Sequence, residues 1–95
     1  MEYILFIHKN TDTQMQKEDW DRFFTAAMDS KLFQGGSEIS NRILLGGKDI
    51  ADITHTIGGF MRFESNNIEA VKELLKNHPT LLNGGSLELC EMPKT

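Results

Sequence analysis

The sequence predicts an α+β protein of the ferredoxin-like type, in which two helices cover one face of a four-stranded antiparallel sheet. Apolar residues cluster or alternate in four short segments and recur every three or four residues in two longer ones. The segments follow the order strand, helix, strand, strand, helix, strand, which is that of the βαββαβ motif. Ninety-five residues leave room for one core, so we expect a single domain spanning residues 1–95.

The first half of the chain opens with a strand at Tyr3–Ile7 that is apolar on both faces, as is typical of a strand covered on both sides. Thr13 and Gln16 then form a possible capping box for the first helix. The apolar stripe of that helix consists of Trp20, Phe23, Phe24, Ala27 and Met28. Gly35 and Gly36 are expected to end the helix, and residues Ser37 to Leu45 to form the second strand, although Ser40 and Asn41 interrupt its alternation.

The second half begins with Lys48 to Ile57, which shows no clean period and is predicted to be a loop that could carry a short irregular strand. Gly58 and Gly59 lead into a half-polar strand at Phe60–Glu64. Asn66 is a candidate cap for the second helix, whose buried stripe would be Ile68, Val71, Leu74 and Leu75. His78 and Pro79 end this helix, and the last strand is expected at Ser86–Glu91.

Composition excludes several classes of protein. Ten Lys and Arg residues against 14 Asp and Glu residues give a net charge of −4, which argues against nucleic-acid binding. The longest apolar run, Tyr3 to Ile7, is too short to span a membrane, and no basic and apolar leader opens the chain. The lone Cys90 has no partner for an intramolecular disulfide, so we expect a reducing cytoplasm.

The short chain and its first strand together predict a homodimer. Small domains bury a modest share of their surface and gain stability by self-association. The two helices can cover only one face of the sheet, whereas Tyr3–Ile7 is apolar on both. A second sheet would cover the other face.

Three segments resemble a known family. They are the opening Met1–Ile7, the segment Gly58-Gly59-Phe60 with the strand and helix after it, and the tail from His78 to Leu89, which contains His-Pro, a Gly-Gly pair and a strand with glutamate. In order and spacing the chain is similar to the YCII-related proteins, and within them to the DGPF group. The DGPF loop itself is replaced by residues Asp49 to Thr56, and Trp20, Asp21 and Arg22 stand near the position of the family's first-helix histidine.

This resemblance implies a ferredoxin-like subunit that pairs sheet to sheet with a second copy in a dimeric α/β barrel, with a cavity between the subunits. By strand parity, Glu88 and the pair Phe60 and Arg62 point away from the helices and into that barrel. Arg62 and Glu88 would then lie roughly 10 Å apart at the backbone, two strand spacings. We interpret Arg62, Glu88 and Phe60 as a candidate ligand site, in which Arg62 would bind an anion. The alternative is that Arg62 and Glu88 form an ion pair between subunits.

Three further residues are candidates for acid/base catalysis. His8 ends the first strand, where residues at the edge of a cavity lie, and His55 shares the irregular loop with Asp52, a carboxylate that could orient an imidazole. A polar surface loop would carry the same residue types. His78 is interpreted as a cation that caps the end of the second helix. The spacing of these residues fits no metal motif, and we expect neither a metal nor a cofactor.

Three functions fit these patterns. The first is binding of a small organic molecule, one option being an anion, at the dimer interface, with acid/base chemistry as an extension. The second is a non-catalytic structural or regulatory dimerisation module with a packed interior. The third, by analogy of fold alone, is a cofactor-free monooxygenase or isomerase of the dimeric-barrel type.

Overall fold

The computed structural model describes residues 1–95 and shows the predicted α+β ferredoxin-like arrangement. Its strands are β1 (Glu2–His8), β2 (Phe33–Glu38), β3 (Ile57–Glu64) and β4 (Leu87–Met92). Its helices are α1 (Lys17–Ser30), α2 (Ile68–Leu75) and the four-residue α3 (Pro79–Leu82), and a 3-10 helix covers Asp52–Thr56. None of these helices has the length and apolar character needed to cross a membrane.

The four strands form one antiparallel sheet in the order β2-β3-β1-β4, so the first strand lies at the centre as predicted. Leu5 of β1 lies opposite Met61 on one side and Leu89 on the other. These side chains face the helices, and the core between the two layers contains Tyr3, Leu5, Phe23, Ala27, Met61, Phe63, Val71 and Leu75.

The other face of the sheet has no cover within the chain. Its central row is Phe60, Phe6 and Glu88, and the next row contains Arg62, Ile4 and Cys90. Ile4 and Phe6 are half-buried, since only neighbouring side chains shield them. The chain is 18 Å thick along its shortest axis, about the depth of one sheet plus one helix layer. We call this surface the open face.

Both predicted ends of α1 were wrong. The helix begins at Lys17, after Gln16, and no side chain caps it. The Thr13 hydroxyl instead donates to Asn83 Oδ1 at 2.7 Å, because the loop after β1 packs against the loop before β4. The helix ends at Ser30, and Lys31, with φ of 62°, takes the left-handed position expected of a glycine.

Strand β2 lies earlier in the chain than predicted. Gly35 and Gly36 belong to this strand rather than to the end of a helix, and residues 39–51 carry neither helix nor strand. A Cβ at Gly36 would collide with the carbonyl oxygen of Phe60, so the glycine permits close approach of β2 to β3. The need for a glycine at this position arises from the pairing of β2 with β3. The residues next to Gly36 in the sequence therefore do not reveal it.

The start of β3 also includes glycines that were expected to precede it. The register of β1 and β3 shifts between Ile7 and His8, where His8 lies opposite Ile57. The aliphatic stem of Lys9 crosses Gly58, and a Cβ there would come within 2.5 Å of it. The shift therefore turns the end of β1 toward the 3-10 helix.

The second helix is capped by Asn67, one residue later than predicted, whose Oδ1 accepts a hydrogen bond from the Glu69 amide at 3.0 Å. It ends before His78 and Pro79, as expected. The outer edge of each apolar stripe is exposed, however: Phe24 and Met28 on α1 and Ile68 on α2.

Candidate functional site

The strongest polar cluster surrounds His8, the last residue of β1. The imidazole is only 5% exposed, and both ring nitrogens have partners. Nδ1 is hydrogen-bonded to Thr56 Oγ1, and Nε2 lies 2.5 Å from Glu88 Oε1. The sequence predicted His8 and Glu88 as separate site residues, and the structure brings them together.

The partners of His8 determine which atoms donate. The Thr56 hydroxyl gives its only proton to the carbonyl of Ile53, at 2.8 Å, so it can only accept from His8 Nδ1. The hydrogen bond between Nε2 and the Glu88 carboxyl then needs one proton, carried by one of the two groups. An acid and a base that share one proton can pass it in either direction, which is the basic requirement of acid/base chemistry.

The strand ends hold His8 and Glu88 in place. Phe6 lies opposite Glu88, which sets His8 diagonally across from the carboxylate on the same face. The His8 amide donates to the Ser86 carbonyl at 3.1 Å. Asn10 extends this pairing. Its side-chain Nδ2 donates to Ser86 Oγ at 3.1 Å, and its Oδ1 accepts from the Ser86 backbone amide at 2.8 Å.

Thr56 reaches His8 because the 3-10 helix is fastened to the sheet. The Lys9 amide donates to the Thr56 carbonyl at 2.6 Å. The Arg42 guanidinium donates to the carbonyls of Thr54, at 2.7 Å, and of Ile57. Arg42 thus binds backbone carbonyls on both sides of Thr56.

A cavity of about 590 Å³ lies between α1 and the ends of β1, β2 and β3. Its lining includes His8, Lys9, Phe60 and a group of apolar side chains: Ile7, Met15, Trp20, Phe24, Phe33 and Met61. The Trp20 and Phe24 rings stack with centroids 5.6 Å apart, and the Phe24 and Phe33 centroids lie 6.2 Å apart. The three rings form one continuous aromatic wall. From the sequence, Trp20 and Phe24 were predicted to pack in the protein core. Residues that line a cavity wall recur along a helix at the same three- and four-residue spacing as core residues.

The remaining predicted site residues lie elsewhere. Arg62 is exposed and donates to the Gln34 carbonyl at 3.2 Å, and it lies in the row of Cys90 rather than that of Glu88. Neither Arg62 nor Glu88 lines the cavity, and within the chain the two form no ion pair. His55 and Asp52 are exposed on the 3-10 helix, and neither is hydrogen-bonded to His8.

Thr56 and the aromatic wall are features of the candidate site that the sequence did not predict. A threonine at the end of an irregular segment carries no signal, because its role depends on a histidine 48 residues away. No group of three or more His, Cys, Asp or Glu side chains lies close enough together to hold a metal ion.

The second buried histidine, His78, has a structural role that differs from the one predicted. Its Nδ1 accepts from the Thr80 amide at 3.1 Å and caps the start of α3, so the ring does not act as a cation at the end of α2. Burial lowers the pKa of His78 to about 4, which keeps the imidazole neutral. Nε2 has no hydrogen-bond partner, and the ring packs edge-on against Trp20 and Phe23.

Comparison with known proteins adds information on the fold. No protein-family model matches the chain, and no curated protein matches it in sequence. Among solved structures it is similar to 5-chloro-2-hydroxyhydroquinone dehydrochlorinase from Burkholderia phenoliruptrix AC1100, in complex with 2,5-dihydroxybenzoquinone. The TM-score is 0.62 at 15% identity, over 100% of this chain and 96% of the other. This likeness shows a shared fold.

Proposed function

We propose that this protein is a homodimer of the YCII/DGPF type that binds a small, ring-containing organic molecule in the cavity beside α1, with His8 and Glu88 exchanging a proton with it. The observation that carries the proposal is the cavity of about 590 Å³ bordered by His8. Ligand sites of this size are typically apolar with a few polar groups that fix orientation. A cavity with this lining supports ligand binding, whereas a purely structural module has no need of one.

The aromatic wall supports a planar ligand. Trp20, Phe24 and Phe33 line the cavity with adjacent rings, and aromatic rings gain from offset-stacked or edge-to-face contact with another flat ring. The solved structure of similar fold was determined with a quinone bound. That neighbour's ligand is consistent with a cyclic molecule here and does not identify it.

The His8–Glu88 pair supports proton transfer. His8 borders the cavity, whereas Glu88 does not and its side chain is 56% exposed on the open face. The pair therefore connects the cavity with the open face through one hydrogen bond. A histidine oriented by a carboxylate is a common arrangement for a general acid or base.

The open face supports the dimer. Phe6, Ile4 and Phe60 lie in its two central rows, and the chain supplies no second layer to cover them. A matching face from a second copy would bury all of them in an isologous contact. A reducing cytoplasm would suit the single free Cys90.

Trp20 makes the binding proposal directly measurable. It is the only tryptophan in the chain and it lines the cavity, so its fluorescence reports on occupancy. A suitable probe is 7-hydroxycoumarin, a flat bicyclic molecule with an ionisable hydroxyl. We expect saturable quenching of Trp20, and we expect Phe24→Ala to weaken binding roughly tenfold through loss of the aromatic contact.

Met28→Ala is the matched control, since Met28 is exposed one turn further along α1 and does not line the cavity. Equal weakening by both substitutions would assign the effect to α1 in general rather than to the aromatic wall. A library of flat ring compounds that leaves Trp20 unquenched would refute the binding proposal.

The proton-transfer part is tested with the same probe, because its absorption distinguishes the neutral hydroxyl from the anion. We expect the wild-type protein to shift that equilibrium on binding, and His8→Gln to bind the probe without the shift. Lys9→Gln, the next lining residue along the chain, serves as a comparison for a general change of charge at the cavity. An identical shift in wild type and His8→Gln would remove His8 from the mechanism.

A further inference from the structure

The segment between β2 and β3, residues 39–56, exposes an unusual number of large aliphatic side chains. Ile43 and Leu45 are 86% and 85% exposed. The others in this segment are Leu44, Ile50 and Ile53. Scattered exposed apolar residues are normal on a protein surface, but a group of this size within one short segment marks an interaction site.

Three of these side chains, Ile43, Leu44 and Ile50, line a groove, and Leu45 and Ile53 lie outside it. The groove has a volume of about 550 Å³, and it is lined by Arg42, Ile43, Leu44, Asp49, Ile50, Asp52 and His55. His55 and Asp52, predicted from sequence as catalytic candidates, thus form part of its polar rim. No other element of the chain reaches across this groove, since residues 40–50 are exposed throughout.

The chain as a whole exposes more surface than a compact monomer, and the size of this excess matches a protein–protein interface. The chain exposes 6798 Å², whereas a compact monomer of its mass would expose about 5,500 Å². The excess is comparable with, and somewhat larger than, the roughly 800 Å² per partner that a standard specific interface buries. The radius of gyration of 14.2 Å likewise exceeds the value of about 12.4 Å expected for this length.

We infer that the 39–56 segment packs its apolar side chains against a second copy of the chain and extends the contact made by the open face. The inference rests on the homodimer proposed above and adds a defined surface to it. A compact monomer would have folded this segment onto its own core. A second copy is the occupant that accounts for the excess area and for the uncovered sheet with one symmetric interface.

The proposed contact also reaches the candidate site. Thr56, at the end of the segment, accepts from His8 Nδ1, and Arg42 donates to backbone carbonyls on both sides of Thr56. A segment held by a partner keeps Thr56 on His8, whereas a free segment exposes the ring nitrogen to water. Dimer formation therefore holds Thr56 in its position against His8.

The test is the double variant Ile43→Asp with Leu45→Asp, studied by analytical ultracentrifugation over a wide concentration range. Both side chains are almost fully exposed within one chain, so the charges leave its folding intact, which circular dichroism checks. We expect wild type to be a dimer and the dissociation constant of the variant to rise roughly hundredfold, as for central residues of an interface. The matched control is Met28→Asp with Leu82→Asp, two exposed apolar residues on helices, which we expect to leave the dimer unchanged.

The outcomes separate this inference from the proposed function. A dimeric wild type with an equally dimeric Ile43/Leu45 variant would overturn the role of the segment and leave the open-face dimer standing. Equal weakening by the control would also overturn it. A wild type that stays monomeric, including one whose exposed segment binds lipid vesicles instead, would overturn both. A second readout is the His8 Nδ1 proton, whose exchange with water should quicken in the dissociated variant, as it would in dilute wild type.

Discussion

His8 Nε2 and Glu88 Oε1 lie 2.5 Å apart on neighbouring strands, although 80 positions separate the two residues in the chain. The contact joins a buried ring to a half-exposed carboxyl, and it places a hydrogen-bonded imidazole at the border of the cavity beside α1. The pair exists because β1 and β4 are adjacent and antiparallel, which brings the last residue of one strand to the start of the other.

Glu88→Gln should remove the shared proton while keeping the shape of the side chain. We expect the low-field nuclear magnetic resonance signal of His8 Nε2–H to disappear, and the free energy of unfolding to fall by about 1 kcal/mol. Glu91→Gln is the control, because Glu91 lies on the same strand and makes no side-chain hydrogen bond. A low-field signal that persists in Glu88→Gln would show that the proton belongs to another contact.

Thr56→Val should leave His8 Nδ1 without an acceptor in a buried position. An unsatisfied buried donor costs about 1–3 kcal/mol, so we expect a loss of that size in the free energy of unfolding measured with urea. Thr54→Val removes only a local bond to the Ala51 carbonyl and should cost less than about 0.5 kcal/mol. Equal losses for the two variants would indicate that the 3-10 helix, rather than His8, depends on Thr56.

The low pKa of His78 predicts a pH dependence of stability. The folded-state pKa is about 4 against 6.5 for the free side chain, so the unfolded chain binds this proton first. The stabilising contribution is fully present above pH 6.5 and declines as the pH falls toward 4. The accumulated loss is about 3 kcal/mol.

His78→Asn tests this dependence, because asparagine can still accept from the Thr80 amide but does not titrate. We expect the variant to be less stable at neutral pH through lost packing, and its free energy of unfolding to decline less between pH 6.5 and 4.5. Parallel curves for wild type and variant would mean that His78 contributes nothing to acid sensitivity.

Gly36→Ala should separate β2 from β3. The added Cβ would collide with the Phe60 carbonyl oxygen and lie 3.0 Å from Met61 Cα, so we expect a loss of about 1–3 kcal/mol in thermal or urea unfolding. Gly47→Ala is the matched control, since no atom lies within 4 Å of its Cβ position and its φ is not left-handed. An unaffected Gly36→Ala would show that β2 tolerates displacement from the sheet.

Most of the fold could be predicted because the pattern is local. The two apolar faces of Tyr3–Ile7, the stripes of α1 and α2 and the alternation in β4 each follow from side-chain period within one segment. The order of these segments then leads to the βαββαβ topology. The second strand was misplaced because its glycines look like a helix end and are needed instead for close strand packing.

The candidate site was predictable only in part. A histidine at the end of a central strand was a reasonable candidate, and Glu88 was identified by parity, but their direct contact depends on the register of β1 with β4. Arg62 was paired with Glu88 on the basis of strand spacing alone. The register places Arg62 beside Ile4, one row away, where its guanidinium reaches Gln34.

By itself, the sequence determined the fold class, the central position of the first strand and the need for cover on its second face, because these depend on periodic burial within short segments. The tertiary structure alone decided that Thr56 and Glu88 meet on His8, that Trp20, Phe24 and Phe33 form a cavity wall, and that residues 39–56 lie exposed. Those features come from contacts between segments far apart in the chain, whose energies no local pattern records.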